Sequence, residues 1–317
     1  QRYRVLRNPG SFNNEIGLPL TLLSADGACE RLVLEMGMYV PGDICFLCGI
    51  ADPHVGVITN VEPVHAERAG SIDEIALGKR ELVEALPSGP VGVAVLNFDD
   101  PRVRAMAEHT RARVFYYGRS PEADLWADQV ESLGLEGLRV RLHCEGTDRT
   151  VTTPLPGQHS VQTVLRAAAV GWVEGLEWEE IAEGLREPGP PLRLVAVFGR
   201  DDLLILDDAY NSSPPSALAA LDLLDDLDRR KVAVLGDMLE LGDYETEGHL
   251  KVGCHAAEVA SELVVVGPLG RRIGEGARSC GLDPERIHVA VDSEAAIDIV
   301  EAILNPGDAV LVKGSHA

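Results

Sequence analysis

Three residue types spaced along one stretch could do chemistry together: Glu35, His65 and Lys79, with His65 fourteen residues before Lys79. A carboxylate and an imidazole on adjacent loops can hold Mg²⁺ beside a nucleotide phosphate, although this ion prefers oxygen ligands. A protonated lysine would repel the cation. A buried lysine, however, can be neutral, and a neutral amine can add carbon dioxide to become a carbamate, an anionic oxygen ligand. A solvated helix charge is the plainer reading of Lys79 taken alone. For Glu35, the plainer reading is a partly exposed strand end.

The elements that must position these residues are legible. Val55-Gly-Val-Ile-Thr59 is an apolar, β-branched run that reads as a buried parallel strand. A loop with Glu62, Pro63 and His65 follows, and Ser71 with Glu74 three residues on is a capping box that starts a helix carrying Ile72, Ile75, Ala76, Leu82 and Val83 on one face. A strand end, a loop histidine and a helical lysine in one βα unit is where an open α/β sheet takes its ligands. Upstream, Arg31-Leu-Val-Leu-Glu-Met36 is predicted to be a strand closed by Glu35. Asn13-Asn14 precedes a helical run through residues 16–23. One of the two asparagines suffices as a cap; both could also reach a polar ligand.

The alternation continues. Val91-Gly-Val-Ala-Val-Leu96 is a further buried strand, a helix runs to about His109, and residues 113–117 form the next strand. Leu138-Arg-Val-Arg-Leu-His143 has period two and predicts an antiparallel patch at the sheet edge. Helices are expected over residues 161–173 and 179–186, before the stiff linker Glu187-Pro-Gly-Pro-Pro191. Past it, strands at 203–206, 232–235, 263–266, 287–289 and 309–312 alternate with helices near 215–227, 246–260, 270–279 and 293–304. The fold class is therefore α/β: two doubly wound, mostly parallel-sheet domains, residues 1–187 and 188–317.

Composition narrows the partners. A net charge of −23 over 317 residues argues against a nucleic-acid-binding face. It leaves room for a phosphate ligand held by helix N-termini and a metal ion. No segment reaches the roughly 18 apolar residues of a membrane span, and no charged-then-apolar leader opens the chain, so a soluble cytoplasmic protein without membrane insertion is expected. Six cysteines are too few for a disulfide scaffold. Cys45-Phe-Leu-Cys48 with His54 beyond is a lone CxxC that reads as small buried cysteines in a strand-turn region rather than a zinc site.

Ordered motifs add a second line: Asn13-Asn14-Glu15-Ile16-Gly17-Leu18-Pro19-Leu20-Thr21, Glu35-Met36-Gly37 with Pro41-Gly42, His65 and Lys79, Leu96-Asn97 with Asp99-Asp100-Pro101, and Gly157-Gln-His159. They continue with Asp207-Asp208-Ala-Tyr210-Asn211, Gly236-Asp237-Met238-Leu239-Glu240-Leu241-Gly242 and Val312-Lys313-Gly314-Ser315. Over nearly the whole chain this set resembles the Mur ligases, ATP-dependent amide-forming enzymes of peptidoglycan precursor synthesis. It is most similar to the branch that adds D-alanyl-D-alanine to UDP-N-acetylmuramoyl-tripeptide. The resemblance implies a P-loop-NTPase-like central domain and a smaller Rossmann-like C-terminal domain. It implies two Mg²⁺ ions, with Glu35 and His65 as ligands and Lys79 as the carbamylated lysine. ATP would be contacted by His159, Thr163, Arg193, Asp208 and Asn211, and the muramoyl-peptide by Asn13 and Asn14. The implied reaction runs through an acyl phosphate, in a monomer.

The match has gaps. The family's G-x-x-x-x-G-K-[ST] loop belongs upstream of Asn13, and no such motif occurs in the chain. Little or no catalysis by this segment alone is expected, for want of the backbone cradle for the phosphates. Ser160 and Thr163 stand where many members carry asparagines, and the Gly236–Gly242 stretch reads as strand-end packing and capping without assignable chemistry. The alternatives are a superfamily ligase adding a single amino acid or glutamate, and a non-catalytic relative acting as a binding subunit.

Overall fold

The computed structural model describes residues 2–63, 70–187, 189 and 194–315. They form two compact units: Gln1–Val130 with Arg139–Thr153 and Val161–Glu187, and Glu131–Leu138 with Pro154–Ser160 and Pro188–Ala317.

The first unit is built on a six-stranded sheet of β3 (Val55–Ile58), β4 (Val93–Asn97), β5 (Arg113–Gly118), β6 (Leu125–Ser132), β7 (Leu138–Cys144) and β8 (Thr147–Thr153), paired in that order. β3 through β6 are parallel, with Val55 opposite Val93, Val93 opposite Arg113 and Tyr117 opposite Leu125. β7 and β8 are joined by only two residues, a connection that allows antiparallel pairing alone. Glu145 and Gly146 turn β7 into β8 with φ of 48° and 77°, the sign a two-residue hairpin requires. This is the antiparallel patch that the alternating 138–143 run predicts. Its exposed side carries a bidentate Arg141–Asp128 pair (both bonds 2.7 Å), which with His143 holds the Asp128 carboxyl well below the usual carboxylate range. Every residue of β4 is buried, as expected of a strand covered on both faces.

Two helices flank the site-bearing end of this sheet. The Ser71 hydroxyl accepts the Glu74 N–H (3.1 Å) and starts α3 (Ile72–Ala85), which packs on β3, with Leu82 against Gly56. α5 (Val161–Val173) packs on β4 and β5.

Two N-terminal expectations change. The strand predicted over 31–36 is only β2 (Arg31–Val33), exposed throughout and paired in parallel with β1 (Val5–Arg7) in a separate two-stranded sheet. Glu35 therefore lies beyond the strand: its N–H is taken by Asn8 Oδ1 (2.8 Å), so a side chain replaces the ladder there. Cys45 and Cys48 lie on α2 (Asp43–Ala51) and not in a strand-turn region, with Cys48 buried and Cys45 exposed. Glu81 of α3 takes the N–H groups of Gly42 and Cys45 (2.5 and 2.8 Å), capping the N-terminus of α2.

The second unit's sheet has the order β13-β12-β11-β14-β10-β9. β10 (Leu204–Asp208), β11 (Lys231–Leu235), β12 (Glu262–Val266), β13 (Ile287–Ala290) and β14 (Ala309–Lys313) are parallel. The edge strand β9 (Val195–Phe198) is antiparallel to β10 and absent from the sequence reading. Its signal was two apolar runs, 195–198 and 203–206, flanking a polar turn in which Asp201 and Asp202 take φ of 55° and 59°. The core joins Leu206, Leu221, Leu224, Leu263 and Leu311, all fully buried, and each such side chain contributes about 1.5–3 kcal/mol.

α7 (Pro214–Asp225), α8 (Glu245–Val259) and α9 (Gly267–Ser279) pack in sequence on this unit. Cys254 and Cys280 form a disulfide, with Cα atoms 5.1 Å apart. Cysteine spacing gave no hint of it; the close approach of α8 to the end of α9 creates it.

His255 of α8 lies between Asp222 of α7 (2.6 Å) and Glu258 (3.0 Å). Burial alone would lower its pKa, but these two hydrogen bonds and the carboxylate charges outweigh it, so the folded value rises above the ordinary 6.5. The folded state then binds the proton more tightly than the unfolded chain. This stabilisation is fully present below about pH 6.5 and is lost as pH rises through the folded pKa. Both carboxylates are largely exposed, so the contribution stays below about 1 kcal/mol. Thermal melts at pH 6 and pH 8 should show a difference that shrinks in His255→Gln; an unchanged difference would assign it elsewhere.

Candidate functional site

In the first unit, polar groups gather beyond the C-terminal ends of β3, β4 and β5, the crest where open α/β sheets take ligands. Asn97 Nδ2 donates to Thr59 O (2.8 Å) and the Tyr117 hydroxyl to Ile58 O (3.1 Å), fixing the end of β3 against its neighbours. Asp100 accepts the Val61 N–H (2.7 Å) with one oxygen. With the other it caps α4 (Pro101–Ala105) through Arg102 N–H and Val103 N–H (2.9 and 3.2 Å). Asp99 accepts from Arg119 N–H and from Gln162 Nε2 of α5 (2.8 and 2.7 Å).

Lys79 enters this crest from α3 and donates from Nζ to Asn60 O (2.6 Å). Burial pulls its pKa below the ordinary 10.5, against the charges of Glu62 and Asp100. Glu62 accepts from Asn60 Nδ2 (2.8 Å), and burial raises its pKa against the pull of Asn60 and Lys79. Lys79 is thus no solvated helix charge. Desolvation shifts its balance toward the neutral amine, against the charges of Glu62 and Asp100.

Glu35 and Asn13 meet: Asn13 Nδ2 donates to Glu35 Oε1 (2.7 Å), and Gly37 N–H donates to Asn13 O (2.7 Å). Asn14 does something else. Its Oδ1 accepts from Gly17 N–H (2.8 Å) and Ile16 N–H (3.2 Å), a side-chain cap on α1 (Gly17–Leu23). The segment after Glu35 is seated on α3 beside Lys79, because a Cβ on Gly78 would lie 2.3 Å from Met38 Sδ. His65 lies outside the described residues. Among the described residues no three His, Cys, Asp or Glu side chains converge as a metal site. The ligand set read from the sequence is of another kind, since it draws on His65 and on a modified Lys79. Of its donors, Glu35 offers a carboxylate at the surface, and Lys79 a half-buried amine that would supply an oxygen ligand only once carbamylated.

In the second unit Asp208 ends β10 and Asn211 lies in the loop that follows. Asp208 is buried and receives Lys313 Nζ (2.5 Å), which also donates to Asn211 O (2.9 Å). His159 belongs to this unit, in a short turn that packs on α7. Burial lowers its pKa, with Asp222 and Asp208 opposing and Lys313 reinforcing. Thr163 sits on α5 in the first unit and accepts from Arg166 Nη2 (2.8 Å). Arg193 lies outside the described residues.

The Mur ligase middle domain matches residues 2–171, and the Mur ligase glutamate ligase domain matches residues 192–316. The chain belongs to the Mur ligase family. It is 38% identical to the UDP-N-acetylmuramoyl-tripeptide–D-alanyl-D-alanine ligase of Mycobacterium tuberculosis, a match covering 99% of this chain and 65% of that protein. It is 34% identical to the ligase of the same name from Bacillus subtilis, over 99% of this chain and 68% of the relative. Among solved structures, MurF of Acinetobacter baumannii superposes with a TM-score of 0.88 at 27% identity, covering 99% of this chain and 68% of that one. MurF of Thermotoga maritima in complex with ADP gives 0.82 at 26% identity, over 99% and 70%. The chain thus spans 65% of the length of the mycobacterial relative. These likenesses bear out the two mostly parallel α/β domains.

Within this Mur ligase chain, the Gly236–Gly242 stretch now has a physical account. Asp237 Oδ1 accepts from Leu269 N–H and Gly270 N–H (3.0 and 2.7 Å) at the start of α9, an anion at a helix N-terminus. Met238 N–H donates to Nε2 of fully buried His249, whose Nδ1 lies 2.6 Å from Glu245 O, so the proton sits on Nδ1. This is capping and packing, as the sequence reading had it. Lys313 and Ser315, which that reading left without roles, hydrogen-bond to Asp208, Asn211 and Ser212. Their signal was a lysine closing the otherwise apolar run 309–312.

Proposed function

We propose that the chain supplies the middle and C-terminal domains of an ATP-dependent ligase that joins D-alanyl-D-alanine to UDP-N-acetylmuramoyl-tripeptide in peptidoglycan precursor synthesis. The observation that carries this reading is the half-buried Lys79, hydrogen-bonded at the crest of a sheet that relatives of that name match over 99% of the chain. The tripeptide carboxylate attacks the γ-phosphate of ATP, giving an acyl phosphate and ADP. The amine of D-alanyl-D-alanine then attacks the acyl carbon and phosphate leaves. Two Mg²⁺ ions, held by Glu35, His65 and Lys79 as its carbamate, would offset charge on the transferring phosphoryl group.

The remaining work falls to positioning. Asn13 holds the Glu35 carboxylate, and with Asn14 at the head of α1 it would face the muramoyl-peptide. The Asn97, Asp100 and Tyr117 hydrogen bonds would keep residues 58–61, at the end of β3, from shifting when charged substrates arrive. His159, Thr163, Arg193 and Asn211 would contact the nucleotide, and Asp208 would act through the loop it anchors. A His159 ring kept neutral by burial suits a contact with the adenosine part. Both nucleotide-linked substrates belong to the cytoplasm, where this ligase would act as a monomer. Among the described residues no helix is long and apolar enough to cross a membrane.

The test is phosphate release by the full-length protein carrying this chain, given ATP, Mg²⁺ and UDP-N-acetylmuramoyl-tripeptide. Release that requires D-alanyl-D-alanine, with free glutamate or diaminopimelate unable to replace it, is expected. Release driven equally by a single amino acid would move the chain to another branch, and no release would leave a non-catalytic relative.

A further inference from the structure

Lys313 ends β14, the strand lying between β11 and β10, and is only 3% exposed. An ammonium there is tolerated only with good partners, and two partners of its Nζ, Asp208 Oδ2 and Asn211 O, stand at the end of β10 and in the loop after it. Ser315, two residues on, works on the same loop. Its hydroxyl oxygen accepts from Ser212 N–H (3.3 Å) and Leu239 N–H (3.2 Å), and it lies 3.3 Å from Asn211 Oδ1. Its own N–H donates to Asp237 O (2.9 Å). The end of β14 thereby ties the loop after β10 to the loop after β11, which Asp237 in turn fastens to the head of α9.

One consequence concerns Asp208. Its carboxylate is turned inward at 8% exposure, whereas Tyr210 in the loop that follows is 61% exposed. Asp208 is an anchor point, and the outward groups of the loop are the ones a ligand meets.

We propose that Lys313, supported by Ser315, is a positioning residue for the nucleotide, holding the 208–212 loop in the one shape that presents Tyr210 and Asn211 to ATP. This rests on the reading of that loop as a nucleotide contact. The lysine touches no reacting atom, so its loss acts on nucleotide affinity more than on turnover.

The test uses the full-length protein, with ADP binding measured by calorimetry alongside kcat and KM. Lys313→Met is expected to weaken ADP binding and raise KM for ATP about tenfold, which is 1.4 kcal/mol. kcat should change less, and KM for D-alanyl-D-alanine should stay put. Because this variant strands the Asp208 charge, Lys313→Met with Asp208→Asn should recover melting temperature while ADP affinity stays low. Ser315→Ala changes no charge and should weaken ADP binding about threefold, as loss of one or two hydrogen bonds does. Unchanged ADP affinity in Lys313→Met, or affinity that returns with stability in the double variant, would overturn the proposal. A wild-type protein that binds no ADP overturns this proposal and the nucleotide reading together. One that binds ADP, shows these shifts and yet forms no amide sinks only the ligase reading.

Discussion

Lys79→Ala in the full-length protein is expected to lower the rate of dipeptide-dependent phosphate release by about 10²–10³-fold, the range seen when one preorganised charge-stabilising group is removed. The side chain is half-buried, donates to Asn60 O, and has its pKa pulled below 10.5 by desolvation. The pull matters because only the neutral amine adds carbon dioxide. Lys79→Arg separates two roles. Arginine keeps the positive charge but stays protonated and forms no carbamate, so it should be as inactive as alanine. If Lys79 served as a cation toward phosphate, arginine would retain much of the rate. Small carboxylates such as acetate should partly restore Lys79→Ala by supplying the missing anionic oxygen, and should do nothing for Lys79→Arg, whose side chain fills the space. Full activity of Lys79→Ala would remove the residue from the mechanism.

Gly253→Ala should be the most damaging single methyl in the second unit. α8 and α9 approach so closely that a Cβ at 253 would lie 2.0 Å from Ile273 O and 2.8 Å from Ala277 N. On the facing helix, a Cβ at Gly276 would lie 2.3 Å from Leu250 O. These are backbone atoms, so no rotamer change relieves the clash and the helix axes must separate. Separation uncovers Val252, Ala256, Ile273 and Ala277, all buried at that contact, while the Cys254–Cys280 disulfide still joins the same two helices. Overpacking of this kind costs typically up to about 3 kcal/mol. At about 2–4 °C per kcal/mol for a body of this size, that lowers the melting temperature by roughly 6–12 °C. Gly184→Ala is the control. It lies within a helix with nothing near its Cβ position, and should be neutral or slightly stabilising, by up to about 1 kcal/mol. A Gly253→Ala protein that melts with the wild type would mean the helices are further apart than described.

Much of the architecture follows from local pattern. Apolar runs such as 93–96 and 263–266 read as strands covered on both faces, and helical stretches of ten to fifteen residues between strands favour parallel pairing. Ser71 and Glu74 announced the start of α3 because capping is a matter of residues three apart. The Glu145-Gly146 hairpin was foreshadowed by the period-two run before it. For the site, Glu35, Lys79, Asn13 and Asp208 are legible as residue types in ordered motifs, and spacing alone does not single them out.

Only the tertiary structure decided what those residues touch. A lysine on an amphipathic helix looks the same in sequence whether it faces water or Asn60, because the loop it meets lies 19 positions away. Asn13 and Asn14 are neighbours in sequence with the same side chain, yet one reaches Glu35 across 22 positions and the other caps its own helix. Lys313 and Asp208 stand 105 residues apart and become partners because β14 and β10 are adjacent and in register at their ends. Cys254 and Cys280 are paired by helix packing that two glycines permit. Propensity and patterning act over a few residues, and so are written in the chain. Charge pairing, burial and pKa depend on which strands become neighbours, and that is settled when the sheets assemble.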